Sequence, residues 1–195
     1  MDLDVIVLAG GRSRRMGRDK AGIPLARKTL LEHVLANART WGANRIVVAG
    51  PPRDWVRAQY IPDPPGYEPS SLLGLYAGML GSQSPWRLVI GCDMPFVTGD
   101  LVQLLWDNRN AGGAAARWQK RLQPLPGLYP GHATDVIAGM LTQRRYHLTA
   151  LLDKLEPTVV GEEQVAALDP SGSSFFNINS PDDLAMAREI METRS

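Results

Sequence analysis

Apolar residues follow two rhythms along this chain. Val5–Leu8 and Leu88–Ile90 are unbroken apolar runs without polar alternation, the pattern of strands covered on both faces in a parallel sheet. Between them, Leu30, Leu31, Val34, Leu35 and Ala38 recur at helical spacing and predict a helix with one buried stripe. Thr29, followed three residues on by Glu32, predicts a capping box at its start. Residues 45–49 read as a second strand, 55–59 as a short helix, and 60–63 as an extended segment ending in Asp63. Four prolines within residues 62–69 forbid helix there, and helix resumes over 75–80.

Past Asp100 a helix runs through Leu101, Leu104 and Leu105, and a weak strand covers 113–116. Residues 117–130 mix basic residues with prolines and predict no regular element. Helices are predicted over 132–142, 148–154 and 181–191, the last with Pro181 at a favourable first-turn position. Strand-like and helix-like runs alternate, which predicts an α/β fold: a three-layer, Rossmann-like, mostly parallel sheet with helices on both faces. The 195 residues contain no repeat, low-complexity tract or linker, so a single domain over 1–195 is expected.

Composition narrows the function classes. The net charge is +1 with 21% charged residues, a balance that gives no support to a nucleic-acid-coating or membrane-surface protein. Cys92 is the single cysteine, which excludes an internal disulfide and a Cys-rich zinc site and suits a reducing compartment. No run approaches the roughly 18 apolar residues of a membrane span, and Val5–Ala9 is too short for a signal peptide. The expectation is a cytoplasmic protein with neither nucleic acid nor membrane as partner.

Positive charge is concentrated in one place, the segment VLAGGRSRRMGRDK at residues 7–20. A buried strand runs straight into Gly10 and Gly11, which bring bare backbone N–H groups close to a ligand. Arg12, Arg14, Arg15, Arg18 and Lys20 follow within a few residues. A glycine pair after a strand is often only a tight turn, and an arginine cluster is often a solvated face. Their combination points to a polyphosphate. The chain lacks both G-x-x-x-x-G-K-[ST] and G-x-G-x-x-G, so this is a nucleotide site of another design.

Two carboxylates stand at comparable points. Asp93 follows the apolar strand Leu88–Ile90 directly, at the carboxyl edge where ligands bind in open α/β sheets. A carboxylate there is placed to bind Mg²⁺ bridging phosphate oxygens, although an aspartate after a strand is more often a turn former. Asp63 ends the extended segment among prolines. His132 and His147 are isolated, with no partner spacing for zinc.

Leu8-Ala9-Gly10-Gly11, Arg12-Ser13-Arg14-Arg15-Met16-Gly17 and Asp19-Lys20 resemble the signature L-A-G-G-x-S-x-R-M-G-x-D-K of the bacterial molybdenum cofactor guanylyltransferases. That family has the nucleotide-diphospho-sugar transferase fold. The resemblance implies that this loop wraps a triphosphate, with Lys20 on the nucleotide phosphates, and that Asp93, in Cys92-Asp93-Met94-Pro95, is the Mg²⁺ ligand. It implies that Asp63 and the helix start Gly74-Leu75-Tyr76-Ala77-Gly78-Met79 help hold the nucleoside. Phe176-Asn177-Ile178-Asn179-Ser180-Pro181 resembles the family's N-x-N-[ST]-P, read here as a strand end running into a helix capped by Ser180. Alternation puts Asn177 and Asn179 on one side, and the resemblance places them near the metal and the pterin phosphate.

The chain departs from the family in three places. Val48-Ala49-Gly50-Pro51 lacks the asparagine found after the second strand in many members, Gln123-Pro124 replaces a His-Pro, and Tyr76 replaces a proline. Arg117, Lys120 and Arg121 precede Gln123 as candidate phosphate contacts. The implied reaction is transfer of GMP from GTP to molybdopterin cofactor, with Arg15, Lys20 and Asp93 as catalytic residues and Mg²⁺ as cofactor. Molybdoenzyme apo-proteins or their chaperones are candidate partners. A cytidylyltransferase of the same fold, acting on molybdopterin or on a sugar or polyol phosphate, is the alternative; cytidine-using relatives usually read A-A-G where this chain has Ala9-Gly10-Gly11. A non-catalytic nucleotide or cofactor carrier is the alternative of another class.

Overall fold

The computed structural model describes residues 1–10 and 19–193. β1 (Leu3–Leu8) is followed by a 3-10 turn (Lys20–Gly22), a small hairpin of β2 (Pro24–Leu25) and β3 (Lys28–Thr29), and α1 (Leu30–Ala38). β4 (Arg45–Ala49) and β5 (Gln59–Ile61) lead to α2 (Ser71–Leu80), β6 (Trp86–Gly91) and α3 (Gly99–Asp107). Then come β7 (Ala114–Trp118), β8 (Arg121–Pro130), α4 (Ala133–Thr142) and α5 (Leu148–Leu155). β9 (Thr158–Val160), α6 (Glu162–Leu168), a second 3-10 turn (Ser173–Phe175) and α7 (Pro181–Thr193) follow.

Seven strands form one sheet in the order β5-β4-β1-β6-β8-β7-β9. β5, β4, β1 and β6 run parallel, β8 opposes both its neighbours, and β9 returns parallel to β7. The sheet is therefore mixed and mostly parallel. Every residue of β1 is buried, as its lack of alternation requires. Val5 and Val7 pack with Leu31, Val34 and Leu35 of α1 and Leu101 and Leu105 of α3. Ile6 and Leu8 pack on the other face with Leu72, Leu75 and Met79 of α2 and Ile137 and Met140 of α4. Each such side chain stabilises the fold by roughly 1.5–3 kcal/mol, so the three layers hold β1 rigidly. Thr29 and Glu32 form the expected capping box.

Four expectations are corrected. The helix over 55–59 is absent: Val56 N–H bonds back to the Arg53 carbonyl in a turn, Trp55 is exposed, and Gln59 already pairs with Val47. α2 begins earlier, at Ser71, because the Ser70 side chain caps the Leu73 N–H. Residues 117–130 are mostly strand, in β7 and β8. Pro124 and Pro126 are tolerated because the ladder shifts between Ala115 and Ala116, whose partners are Gly127 and Gln123, so 124–126 bulge out unpaired. Finally, 176–180 is extended but joins no strand; Ile178 N–H bonds the Asp93 carbonyl at 3.0 Å instead. β9 and α6 were not expected.

Candidate active site

Register gathers the site. Leu8 lies opposite both Ala49 and Gly91, and Ala49 opposite Ile61, so the segments after β1, β4, β5 and β6 leave the sheet along one edge. The ladder continues into the loops through Ala9 N–H to Ala49 O at 2.8 Å and Cys92 N–H to Leu8 O at 3.0 Å. Gly50 must be glycine: its φ is +146°, and a Cβ there would sit 2.8 Å from the Ala9 carbonyl carbon.

A cavity of about 330 Å³ opens at this edge. Leu8, Ala9, Gly10, Lys20, Asp93, Asn177 and Asn179, all expected from the sequence, line it. Gly11 and Arg15 lie outside the described residues, as do Arg12, Arg14 and Arg18. At the centre the Lys20 ammonium donates to Asp93 Oδ2 at 2.9 Å and, in a short contact, to Asn179 Oδ1. Both ion-pair side chains are about one-fifth exposed. Asp93 folds back over β6, where a Cβ at Gly91 would lie 2.3 Å from Asp93 Oδ1, so only glycine leaves the carboxylate room. Ile178, fully buried with Leu30 and Phe96, pins the extended segment, so Asn177 and Asn179 on either side of it reach the cavity.

Asp63 is placed differently. It does not line the cavity but stands behind Gly10 and Gly74, whose ideal Cβ positions lie 3.7 and 3.8 Å from its oxygens. Its Oδ1 is buried and accepts no hydrogen bond from any described residue, and burial pushes its pKa above the usual carboxylate range. Gly74 lies against Asp63, while Tyr76 packs on the apolar cluster of α2.

Sequence reasoning missed Asp19, Ser71, Cys92 and Leu125 in the cavity wall. Ser71 opens α2, a start that the preceding prolines disguised. Leu125 arrives through the bulge in β8, which no local pattern encodes. Cys92 is buried, and burial pushes its thiol pKa up to about 12, so it stays protonated at neutral pH. Arg117, Lys120 and Arg121 are exposed and line neither this cavity nor a second groove beside it, whereas Gln123 lines the groove. His132 and His147 are exposed on the surface.

No group of three His, Cys, Asp or Glu side chains able to hold a metal occurs among the described residues. The donors present are Asp93 and two amides, a hard oxygen set. Mg²⁺ suits such a set, since it keeps several waters and takes its remaining ligands from one or two carboxylates and substrate phosphates. No helix among the described residues is long and apolar enough to cross a membrane.

A lysine and a carboxylate meeting over the ends of parallel strands, beside Gly10, are the arrangement of a nucleotidyltransferase built on an α/β sheet. The family model for the MobA-like NTP transferase domain matches residues 5–159, and the chain belongs to that family. A molybdenum cofactor guanylyltransferase of Rhizobium leguminosarum bv. trifolii is 36% identical, over 96% of this chain and 92% of the relative. A probable one from Pelotomaculum thermopropionicum is 30% identical, with 96% and 92% covered. The crystal structure of molybdopterin-guanine dinucleotide biosynthesis protein A from Archaeoglobus fulgidus superposes with a TM-score of 0.79 at 26% identity, covering 97% of this chain and 99% of that one. A Thermus thermophilus 2-C-methyl-D-erythritol 4-phosphate cytidylyltransferase shares the fold, with a TM-score of 0.70 at 18% identity, covering 98% and 100%.

Proposed function

We propose that this protein, as a single nucleotidyltransferase domain, transfers GMP from GTP to the terminal phosphate of molybdopterin cofactor. The observation that carries the reading is the Lys20–Asp93 pair in the cavity, 2.9 Å apart, with Asp93 just past the carboxyl end of β6 and Lys20 opening the 3-10 turn that follows β1 in the chain. An acceptor phosphate oxygen attacks the α-phosphorus of GTP, a new P–O bond forms, and the α–β bridging bond breaks. Pyrophosphate leaves with the electron pair, and the cofactor becomes a guanine dinucleotide. The acceptor phosphate is already ionised at neutral pH, so no general base is needed. The enzyme aligns two anions and offsets their repulsion.

Lys20 neutralises phosphate charge, and Gly10, Gly11 and Arg15 complete the triphosphate cradle. Asp93 would hold Mg²⁺, which would supply charge neutralisation at the phosphates. Asp63, which stands behind Gly10 and Gly74 and outside the cavity wall, supports the backbone against which the nucleoside packs. The acceptor's pterin fits the second groove, about 540 Å³, which shares Asn177 with the cavity and is walled by Trp118, Phe175, Phe176, Met186 and Ile190. Aromatic and apolar walls suit a planar bicyclic ring.

The test is to incubate the purified protein with Mg²⁺, molybdopterin cofactor and GTP labelled at the α-phosphorus. Label passing into the cofactor fraction, with pyrophosphate in equal amount, is the expected result. Label remaining in GTP, although GTP binds, contradicts transfer and favours a carrier.

A further inference from the structure

We propose that Arg53 is a positioning residue that clamps both flanks of the glycine-rich segment and so fixes Lys20 for the nucleotide phosphates. The inference rests on the proposed GTP reaction and concerns a residue with no place in the family signature. Arg53 is nearly buried, with its side chain 6% exposed. Its Nη2 donates to the Ala9 carbonyl at 2.8 Å and to Asp19 Oδ1 at 3.0 Å, and its Nε donates to Asp19 Oδ2 at 2.6 Å. Nη1 donates to the Pro51 carbonyl at 2.9 Å, which fastens the guanidinium to its own turn. One planar group therefore joins the strand end before the glycines to the residue before the lysine.

The chain of contacts continues to Lys20. The Asp19 carboxylate, besides facing Arg53, accepts the Ala21 N–H at 3.1 Å and so caps the 3-10 turn that begins at Lys20. Asp19 itself lines the cavity. Left unpaired beside incoming triphosphate, its charge would repel the substrate; the fork neutralises it and spends its orientation on holding the turn. Lysine cannot replace this group. An ammonium is a point charge and cannot reach Ala9, Asp19 and Pro51 in one plane. Among the described residues Arg53 is not one that lines the cavity, so it acts through Asp19 and Lys20 and not on the phosphates.

A double-mutant cycle on GTP affinity tests the proposal, with Arg53→Ala, Lys20→Ala and the double variant compared with wild type. Arg53→Ala is expected to raise the GTP dissociation constant at least tenfold and to lower kcat/KM by about a hundredfold, the scale of a misplaced reacting group. Most of that penalty should disappear in the Lys20→Ala background, and millimolar guanidinium should restore part of it. Arg53→Lys should not recover wild-type affinity. Penalties that add in full, within the roughly twofold scatter of independent sites, overturn the clamp even if the thermal midpoint falls. If Arg53→Ala fails to fold, Asp19→Asn, whose side chain is half exposed, replaces it in the same cycle under the same criterion. Wild-type protein that binds no GTP overturns the functional reading instead, and the two failures are thereby told apart.

Discussion

Asp63 is proposed to set the backbone that holds the base, from its place behind Gly10 and Gly74. A buried carboxylate oxygen without a donor is costly, and nothing in the described fold repays it. Its raised pKa means that the folded protein binds a proton more readily than the unfolded chain, so this group's contribution to stability falls as pH rises from the usual carboxylate range through the folded value. Asp63→Asn is therefore expected to leave the thermal midpoint at neutral pH unchanged or higher, while GTP affinity drops at least tenfold; differential scanning fluorimetry and calorimetry read the two effects. A variant that melts earlier and binds GTP normally contradicts this. Gly10 matters for the same reason, since a methyl there would lie 3.7 and 3.9 Å from the two Asp63 oxygens and screen them. Gly10→Ala should narrow the preference for GTP over CTP. Asp93→Ala should abolish turnover with an unchanged circular dichroism spectrum, and near-normal turnover with Mg²⁺ would refute its role as metal ligand.

Among the elements, those with a strong local signal were legible. β1, β6 and α1 could be read because unbroken apolar runs and a capping box carry their own instructions. β8 could not, because its prolines and basic residues are tolerated only through the bulge opposite Ala115 and Ala116, a fact of pairing. β9 is three residues long, too short to show a period. Site residues on strand ends, Gly10 and Asp93 above all, were legible for the reason their strands were. Arg53 and Leu125 were not, since their role arises from partners far away in sequence. The turn before Asn177 depends on Asp169, buried and accepting from the N–H groups of Ser173 and Ser174 and the hydroxyls of Ser171 and Ser173. Burial pushes its pKa up, but those donors outweigh it and hold the group below its usual value. Its stabilisation is thus present above the unfolded carboxylate pKa and lost as pH falls through the folded one. Asp169→Ala should cost about 1–3 kcal/mol in urea unfolding at pH 7, and less in acid. Equal stability at pH 7 would show that the turn stands without it.

At the scale of the molecule, the order β5-β4-β1-β6 brings four loops to one edge, where Gly10 and Asp93 line the cavity and Gly50 and Asp63 stand against the Ala9–Gly10 backbone behind it. Both carboxylates in the described cavity wall are ion-paired, Asp93 with Lys20 and Asp19 with Arg53, and form no metal cluster. Mg²⁺ is accordingly expected to arrive with the nucleotide. Calorimetric titration of the protein with Mg²⁺ alone should show no saturable binding, whereas GTP should bind tighter in its presence; tight binding of Mg²⁺ without nucleotide would contradict that order. Guanylyl transfer is tested by the initial rate of pyrophosphate release with Mg²⁺ and molybdenum-loaded molybdopterin, offering GTP, CTP and ATP separately. Release with GTP far above the other two is the predicted result. Preference for CTP, or no release with any of them although GTP binds, would contradict it.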